Sequence, residues 1–541
     1  MSGAHPEPSA VSSGGSASNA GSRAAKAVAE LKSRDRDIML LTHTSAILGW
    51  DQETYLPAKG IDERSAQLAL LHGLIHERTI APENQSLLDA AGAPIGPGAA
   101  AGSSTDDAGA ADGDPSLPPL DRAFLRRYRR RYERAVKLPQ ELVVTLAEKT
   151  SRAQAVWVEA READDFPRFA PHLQGLLDLL LEVADRIGYD EHPYDALLDQ
   201  YEPFMKTSSV DRIFTGLREQ LVPIVAAIAE APQVDASILE RAFPVAAQER
   251  FGRTVMDALG YSRNRGRLDV SAHPFTTTLG FDDVRITTRY NERFFNSAIF
   301  GTMHEVGHGL YELGFADDLR GTLLAEGTSL GIHESQSRMW ENMVGRSRPF
   351  WRHFYPILRS HFPDALLDVD AERFYRAVNR VAPSLIRVEA DEVTYALHVI
   401  LRFELEKELV SRTLSVKDLP EAWRAKSREL LGVEPSNDRD GVLQDIHWSM
   451  GGIGYFPTYA LGNLYAAAFM QRINRDLPTL WNEIAEGNCS SLLSWLRTHI
   501  HRHGSARTAE ELCIEITGAP LSAKPFVDYV WEKYRDIYGL D

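Results

Sequence analysis

One helix constrains this chain more than any other segment. Between residues 295 and 313 the apolar side chains Phe295, Ile299, Met303, Val306, Leu310 and Leu313 recur at three- and four-residue steps, which is the repeat of one helix face. The opposite side carries Ser297, Gly301, His304, His308 and Phe315 instead of a charged surface. A helix with no solvated face must be buried, so it needs other helices around it. Helical periodicity over 139–162, 171–187, 208–231 and 385–410 supplies them. Residues 269–290 break the rule. Val284 and Ile286 alternate with Asp283, Arg285 and Thr287, and Leu279-Gly280 marks a turn, the signature of a β-hairpin. The expected fold is mainly α, with a small sheet directly before a buried helix that begins near Asn291 or Glu292.

The length of 541 residues and the 44% hydrophobic, 25% charged composition suit a large globular core. A net charge of -17 argues against a nucleic-acid surface. The basic cluster from Arg126 to Arg134 is read as a solvated helix face. Cys489 and Cys513 are the only cysteines, which suits a reducing cytoplasm. With no apolar run of about 18 residues and no signal peptide readable, the expectation is no membrane span and a cytoplasmic location. Residues 1–24 are expected to be a disordered tail, 25–541 a single domain, and 91–118 a flexible low-complexity insertion.

The buried helix contains His304-Glu305-Val306-Gly307-His308. Two histidines four residues apart project together and can grip one metal ion, and the glutamate between them can act as general base on a bound water. This is the equipment of a zinc-dependent peptidase, and a catalytic site of that kind takes three protein ligands. Glu312 lies about 12 Å along the axis from His304 and cannot reach the same ion. Tyr311 and Gly314 stand where a metzincin needs Gly and His. The third ligand therefore comes from elsewhere. Glu334 is the first candidate, on a segment where Leu330, Glu334, Ser337 and Glu341 share a face, and an ion pair suits that position equally well. Glu326 is the reserve.

Several ordered segments together resemble the carboxypeptidase Taq family of zinc metallocarboxypeptidases. They are Trp50-Asp51-Gln52-Glu53-Thr54, Tyr194-Asp195-Ala196-Leu197-Leu198-Asp199, His273-Pro274-Phe275, Asp283-Val284-Arg285-Ile286-Thr287-Thr288 and the histidine motif. There follow His333-Glu334-Ser335-Gln336, Ile386-Arg387-Val388-Glu389-Ala390-Asp391, Gly441-Val442-Leu443-Gln444-Asp445-Ile446-His447-Trp448 and Gly454-Tyr455-Phe456-Pro457-Thr458-Tyr459. The resemblance implies a saddle-like helical fold with a deep groove, a homodimer, and removal of single residues from the C-termini of peptides. It implies zinc or sometimes cobalt, held by residues that map to His304, His308 and Glu334, with Glu305 as the catalytic base.

A free C-terminal carboxylate calls for an arginine fork, and the resemblance points to Arg387, with Asp391 four residues on to hold the guanidinium across a helix face. The 444–447 segment, if extended, lets Asp445 orient His447 toward substrate or a developing oxyanion, and a structural histidine fits as well. Tyr455, ahead of Tyr459, is the candidate phenolic donor to the tetrahedral intermediate. His273, at the start of the hairpin strand, either lines the cleft or caps the sheet. Asp283 and Arg285 suit an ion pair as well as substrate contacts. The rival readings are an endo-acting oligopeptidase on the same metal site and a non-catalytic helical metal-binding protein.

Overall fold

The computed structural model describes residues 14–95 and 112–540, with side chains from Gly21 onward. Helix α1 (Gly14–Thr54) opens the chain, so the expected tail is helical over 14–24, and its residues 1–13 lie outside the described residues. Pro57 stops the chain from continuing as helix, and α2 (Ile61–Thr79) folds back on α1. Arg64 on α2 fastens the pair through Oδ2 of Asp51 at 2.7 Å and the Leu48 carbonyl at 2.5 Å. The core of the expected insertion, 96–111, lies outside the described residues. Its flanks are packed: Ala91, Ala93 and Leu117 are buried, and Asp114 N donates to the Ala91 carbonyl at 3.0 Å.

Helix α3 (Pro119–Lys137) carries the basic cluster, and its environment corrects the expectation of a solvated face. Arg131 pairs with Asp35 at 2.6 Å, Arg130 and Arg134 both reach Asp199 at 2.5 and 2.7 Å, and Arg129 pairs with Glu133. The cluster ties α3 into α1 and the following chain, because carboxylates this buried need a partner charge.

The alternating segment forms three strands, β1 (Leu268–Val270), β2 (Thr276–Gly280) and β3 (Asp283–Thr288), in the order β1-β3-β2. The hairpin β2–β3 is antiparallel, with Thr276 opposite Ile286 and a register shift between Thr278 and Gly280, while β1 adds in parallel to β3. Val284 and Ile286 are fully buried, as alternation predicts. Arg285 pairs with Asp283 at 2.8 Å and lies over the Trp50 ring at 4.4 Å, which docks the end of α1 on the sheet.

The motif helix α4 (Phe295–Glu312) starts three to four residues later than expected, because Asn291 Oδ1 accepts from Arg293 N and holds a turn there. Phe295, Ile299, Met303, Val306 and Leu310 are all buried. Helix α5 (Leu330–Arg338) is capped by Ser329, whose hydroxyl accepts from Ile332 N, and it widens into a π turn at Met339–Val344. Such turns cluster at functional sites. Helix 385–410 is a correction. Arg387–Glu389 is a single 3₁₀ turn, and α6 runs only over Tyr395–Val410. Asp391 accepts from the N–H groups of Val393 and Thr394 and so holds the turn that leads into α6. Helix α7 (Pro457–Asp476) packs across α5. Elsewhere the periodic segments appear as Gln140–Ala163, Phe166–Ile187, which runs through Pro171, and Thr207–Glu230. Among the described residues no helix is long and apolar enough to cross a membrane.

Candidate metal centre and recognition site

Helices α4, α5 and α7 meet almost backbone to backbone, and glycines make this possible. A Cβ on Gly307 would stand 2.6 Å from Cα of Ser337, and one on Gly462 would stand 2.5 Å from Cγ of Glu334. Close approach brings the ligand atoms of His304, His308 and Glu334 within 4.8 Å of one another. Oε2 of Glu334 lies 3.6 Å from Nε2 of His304 and 3.5 Å from Nε2 of His308. Two imidazole nitrogens and one carboxylate oxygen on a small half-buried triangle suit a divalent ion with an open position. Neither Glu312 nor the reserve Glu326 takes part. Glu312 is bonded to His333 and Thr278, while Glu326 is exposed and feels the charges of Arg127 and Arg131.

The charges fit the same reading. Burial raises the Glu334 carboxyl, but Arg338 and His304 outweigh it and hold it well below the usual range. Burial holds His308 neutral, lowered to about 3, which leaves it a lone pair. At His304 burial is overcome by the carboxylates of Glu334 and Glu341, and its pKa rises. A divalent ion there would take the place of the His304 proton beside those carboxylates. Glu305, 6% exposed, is raised by burial. Its Oε2 accepts from Thr276 Oγ1 at 2.6 Å.

The expected recognition residues gather around Tyr459, though not through the expected partners. Arg387 is 4% exposed and is not held by Asp391. Its Nε and Nη2 donate to Oδ1 of Asp445 at 3.0 and 2.8 Å, and Nη1 donates to the Tyr395 hydroxyl at 2.9 Å. Asp445 also takes Arg402, so it has nothing left for His447. The 444–447 segment is a turn entering the 3₁₀ helix His447–Met450, not an extended strand. Nε2 of His447 lies 3.2 Å from the Tyr459 hydroxyl, and Nδ1 has no partner among the described residues. Burial and then Arg387 lower His447 to about 4, which keeps it neutral. The Tyr455 ring stands 5.3 Å from His447 and 5.4 Å from Tyr459, and burial and then the Glu334 carboxylate raise its phenol. His273 is exposed in the loop before β2, not in the strand, and its ring bonds to none of these groups. Among the described residues only its carbonyl is engaged, by Ser271 Oγ at 2.6 Å.

Tyr395 joins the two clusters. Its hydroxyl meets Arg387, and Arg338, which donates to Glu334, lies 4.3 Å above its ring.

The model for the carboxypeptidase Taq (M32) metallopeptidases matches residues 30–534. The chain belongs to this family. Thermostable carboxypeptidase 1 of Thermus thermophilus is 44% identical over 518 residues, covering 93% of this chain and 97% of its own. Carboxypeptidase 1 of Bacillus subtilis is 36% identical over 496 residues, covering 92% and 95%. The crystal structure of the M32 carboxypeptidase from Deinococcus radiodurans superposes with a TM-score of 0.89 at 39% identity, covering 95% of this chain and all of that one. The protein is thus a metallocarboxypeptidase, mainly helical with a small sheet beside its metal motif.

Within this M32 carboxypeptidase, sequence reasoning missed the residues that hold the candidate ligands. Nδ1 of His304 lies 2.9 Å from Oε2 of Glu341, and Nδ1 of His308 lies 2.6 Å from Nδ1 of His333, whose Nε2 reaches Oε1 of Glu312 at 2.7 Å. Such outer partners fix the ring orientation of a ligating histidine. Glu341 was legible as a member of the Glu334 face. His333 and the hydroxyls of β2 carried no signal. Gln336 turns away, accepting at Oε1 from the buried His501 side.

Proposed function

We propose that this metallocarboxypeptidase removes single residues from free peptide C-termini with broad preference, using zinc, or alternatively cobalt, held by His304, His308 and Glu334. The reading is carried by the chain of contacts from Glu334 through Arg338 and Tyr395 to Arg387. A terminal carboxylate anchored at Arg387 stands at a fixed span from the metal ligands, so only the last peptide bond is presented. Of the five N–H donors of a guanidinium, Arg387 spends three on Asp445 and Tyr395, which leaves two for a forked bond to the substrate.

A divalent ion held by the three donors supplies Lewis acidity toward the scissile carbonyl and lowers the pKa of the attacking water. Glu305 accepts that water's proton at Oε1 as the C–O bond forms, and returns it to the amine nitrogen as the C–N bond breaks. Thr276 occupies only Oε2, which leaves Oε1 free for this work. The unpartnered Nδ1 of neutral His447 and the Tyr455 hydroxyl offer donors where negative charge develops on the carbonyl oxygen. His273, exposed in the loop before β2, is kept as a candidate contact for substrate at the cleft edge. The region 25–541 acts as one catalytic domain. A homodimer follows from the family resemblance, the two buried cysteines suit the cytoplasm, and the charge of -17 disfavours nucleic acid.

Digestion of matched free and C-terminally amidated peptides, with and without a chelator, tests this. Mass spectra should show stepwise loss of single residues from free peptides only, and only with metal. Equal cleavage of the amidated peptides would remove Arg387 from its role.

A further inference from the structure

Residues two apart on a strand face the same way, and Thr276 and Thr278 of β2 both turn onto α4. Oγ1 of Thr276 lies 2.6 Å from Oε2 of Glu305 and 3.0 Å from the Glu305 carbonyl. Oγ1 of Thr278 lies 2.9 Å from Oε2 of Glu312. Glu305 and Glu312 are two helical turns apart, about 10 Å, against about 7 Å for two strand residues. The glutamate stems close the difference.

From Glu312 the network runs on through His333 to His308, and its proton order is fixed. A His308 that offers the Nε2 lone pair carries its proton on Nδ1 and donates it to Nδ1 of His333. His333 then carries its own proton on Nε2 and donates it to Glu312. His304 needs no such intermediary, because its Nδ1 meets the Glu341 carboxylate directly.

We propose that the two threonines divide the support of the centre, Thr276 positioning the general base Glu305 and Thr278, through Glu312 and His333, positioning the ligand His308. The inference rests on the roles proposed for Glu305 and His308. With the Thr276 hydroxyl on Oε2, Oε1 is the oxygen presented to the reacting water. Without it neither oxygen is placed, and misplacement of a reacting group is costly in rate.

Thr276→Val keeps the shape and removes the hydroxyl, while Thr276→Ser keeps the hydroxyl. In Thr276→Val kcat should fall about tenfold to a hundredfold with KM within about twofold, the pattern of a lost transition-state contribution. Thr276→Ser should recover most of the turnover, and metal affinity by chelator competition should stay within about twofold of the parent in both. Thr278→Val should weaken metal binding by about tenfold or more in the same titration, without peptide present, and Thr278→Ser should restore it. Glu305→Gln and His308→Ala separate the two levels of inference. A Glu305→Gln protein that still turns over, or a His308→Ala protein that still binds metal tightly, removes the underlying roles. With both controls behaving as assigned, the proposal falls if Thr276→Val keeps parental kcat or if Thr278→Val keeps parental metal affinity. Equal impairment of the Val and Ser variants also overturns it, because the hydroxyl would then not be the active group.

Discussion

Arg338 donates from Nε to Oε1 of Glu334 at 2.6 Å, leaving Oε2 to face the two histidines. The arginine thus divides the carboxylate, one oxygen for itself and one for a metal. Its Nη1 also reaches Oε2 of Glu341 at 3.1 Å, so one guanidinium serves the carboxylates behind two ligand positions.

Arg338→Met should therefore leave two buried carboxylates without their common cation, at a cost of about 3 kcal/mol or more. A metal ion replaces part of that positive charge. The loss of melting temperature should be larger in chelator than in added zinc, measured by scanning calorimetry. An equal loss in both conditions would show that the guanidinium is not balancing the ligand charge.

Gly462→Ala is expected to act on the centre from behind. Its new Cβ would sit 2.5 Å from Cγ of Glu334, and overpacking at such a helix contact costs about 1–3 kcal/mol. Either α7 moves away from α5 or Glu334 is displaced. Metal affinity in a competition titration should drop at least about tenfold, and an unchanged affinity would mean that the helices part without moving the ligand.

Asp445→Asn and Asp391→Asn make a discriminating pair. Asp445 holds the buried guanidinium groups of Arg387 and Arg402, so removing its charge should destabilise by about 3–5 kcal/mol and raise KM for short peptides more than kcat falls. Asp391 instead serves the backbone before α6, accepting from Val393 N, Thr394 N, Thr394 Oγ1 and Ala382 N, and its loss should cost about 1–3 kcal/mol with little change in KM. Steady-state kinetics on both variants reads the difference. A larger KM effect for Asp391→Asn would return it to the position of guanidinium partner.

Glu202 makes stability depend on pH. It is 1% exposed, accepts from Gly331 N, has no partner for Oε2, and burial pushes its carboxyl up to about 8. The folded protein keeps this proton when the unfolded chain has already lost it. The contribution is full below the ordinary carboxyl range and is lost as pH rises through about 8, with a total on the order of 4 kcal/mol. Glu202→Gln should melt like the parent at pH 5 and above it at pH 9. A parallel decline of both proteins would assign the pH dependence elsewhere.

The clustering of His304, His308 and Glu334 was legible because it obeys helical arithmetic. His304 and His308 are one turn apart, Glu312 is too far along the axis, and Glu334 shares a face with Glu341, which the structure turns into the support of His304. The same arithmetic failed at Arg387. It projects a helix through 385–410, where Asp391 instead satisfies backbone N–H groups and starts the helix later. The true partner, Asp445, stands 58 residues away on a turn, and no local periodicity reports a pairing of that kind. The basic residues of α3 misled for the opposite reason, since helical spacing shows which charges share a face but not whether another chain segment covers it. The hairpin was readable from alternation, while the parallel addition of β1 was not, because three residues carry too little pattern.

The ligands and their supports lie on regular helices and a strand between residues 276 and 341, locked by glycine contacts that admit no added atom. Arg387, His447 and Tyr455 lie instead on short turns, anchored by side chains drawn from distant parts of the chain. Chemistry and selection are thus written in different structural media. On the roles proposed above, substitutions in the turns change which peptide end is accepted, while the helical block admits no added atom at Gly307 or Gly462. A lineage built on this scaffold is therefore free to diversify in preference long before it can diversify in reaction.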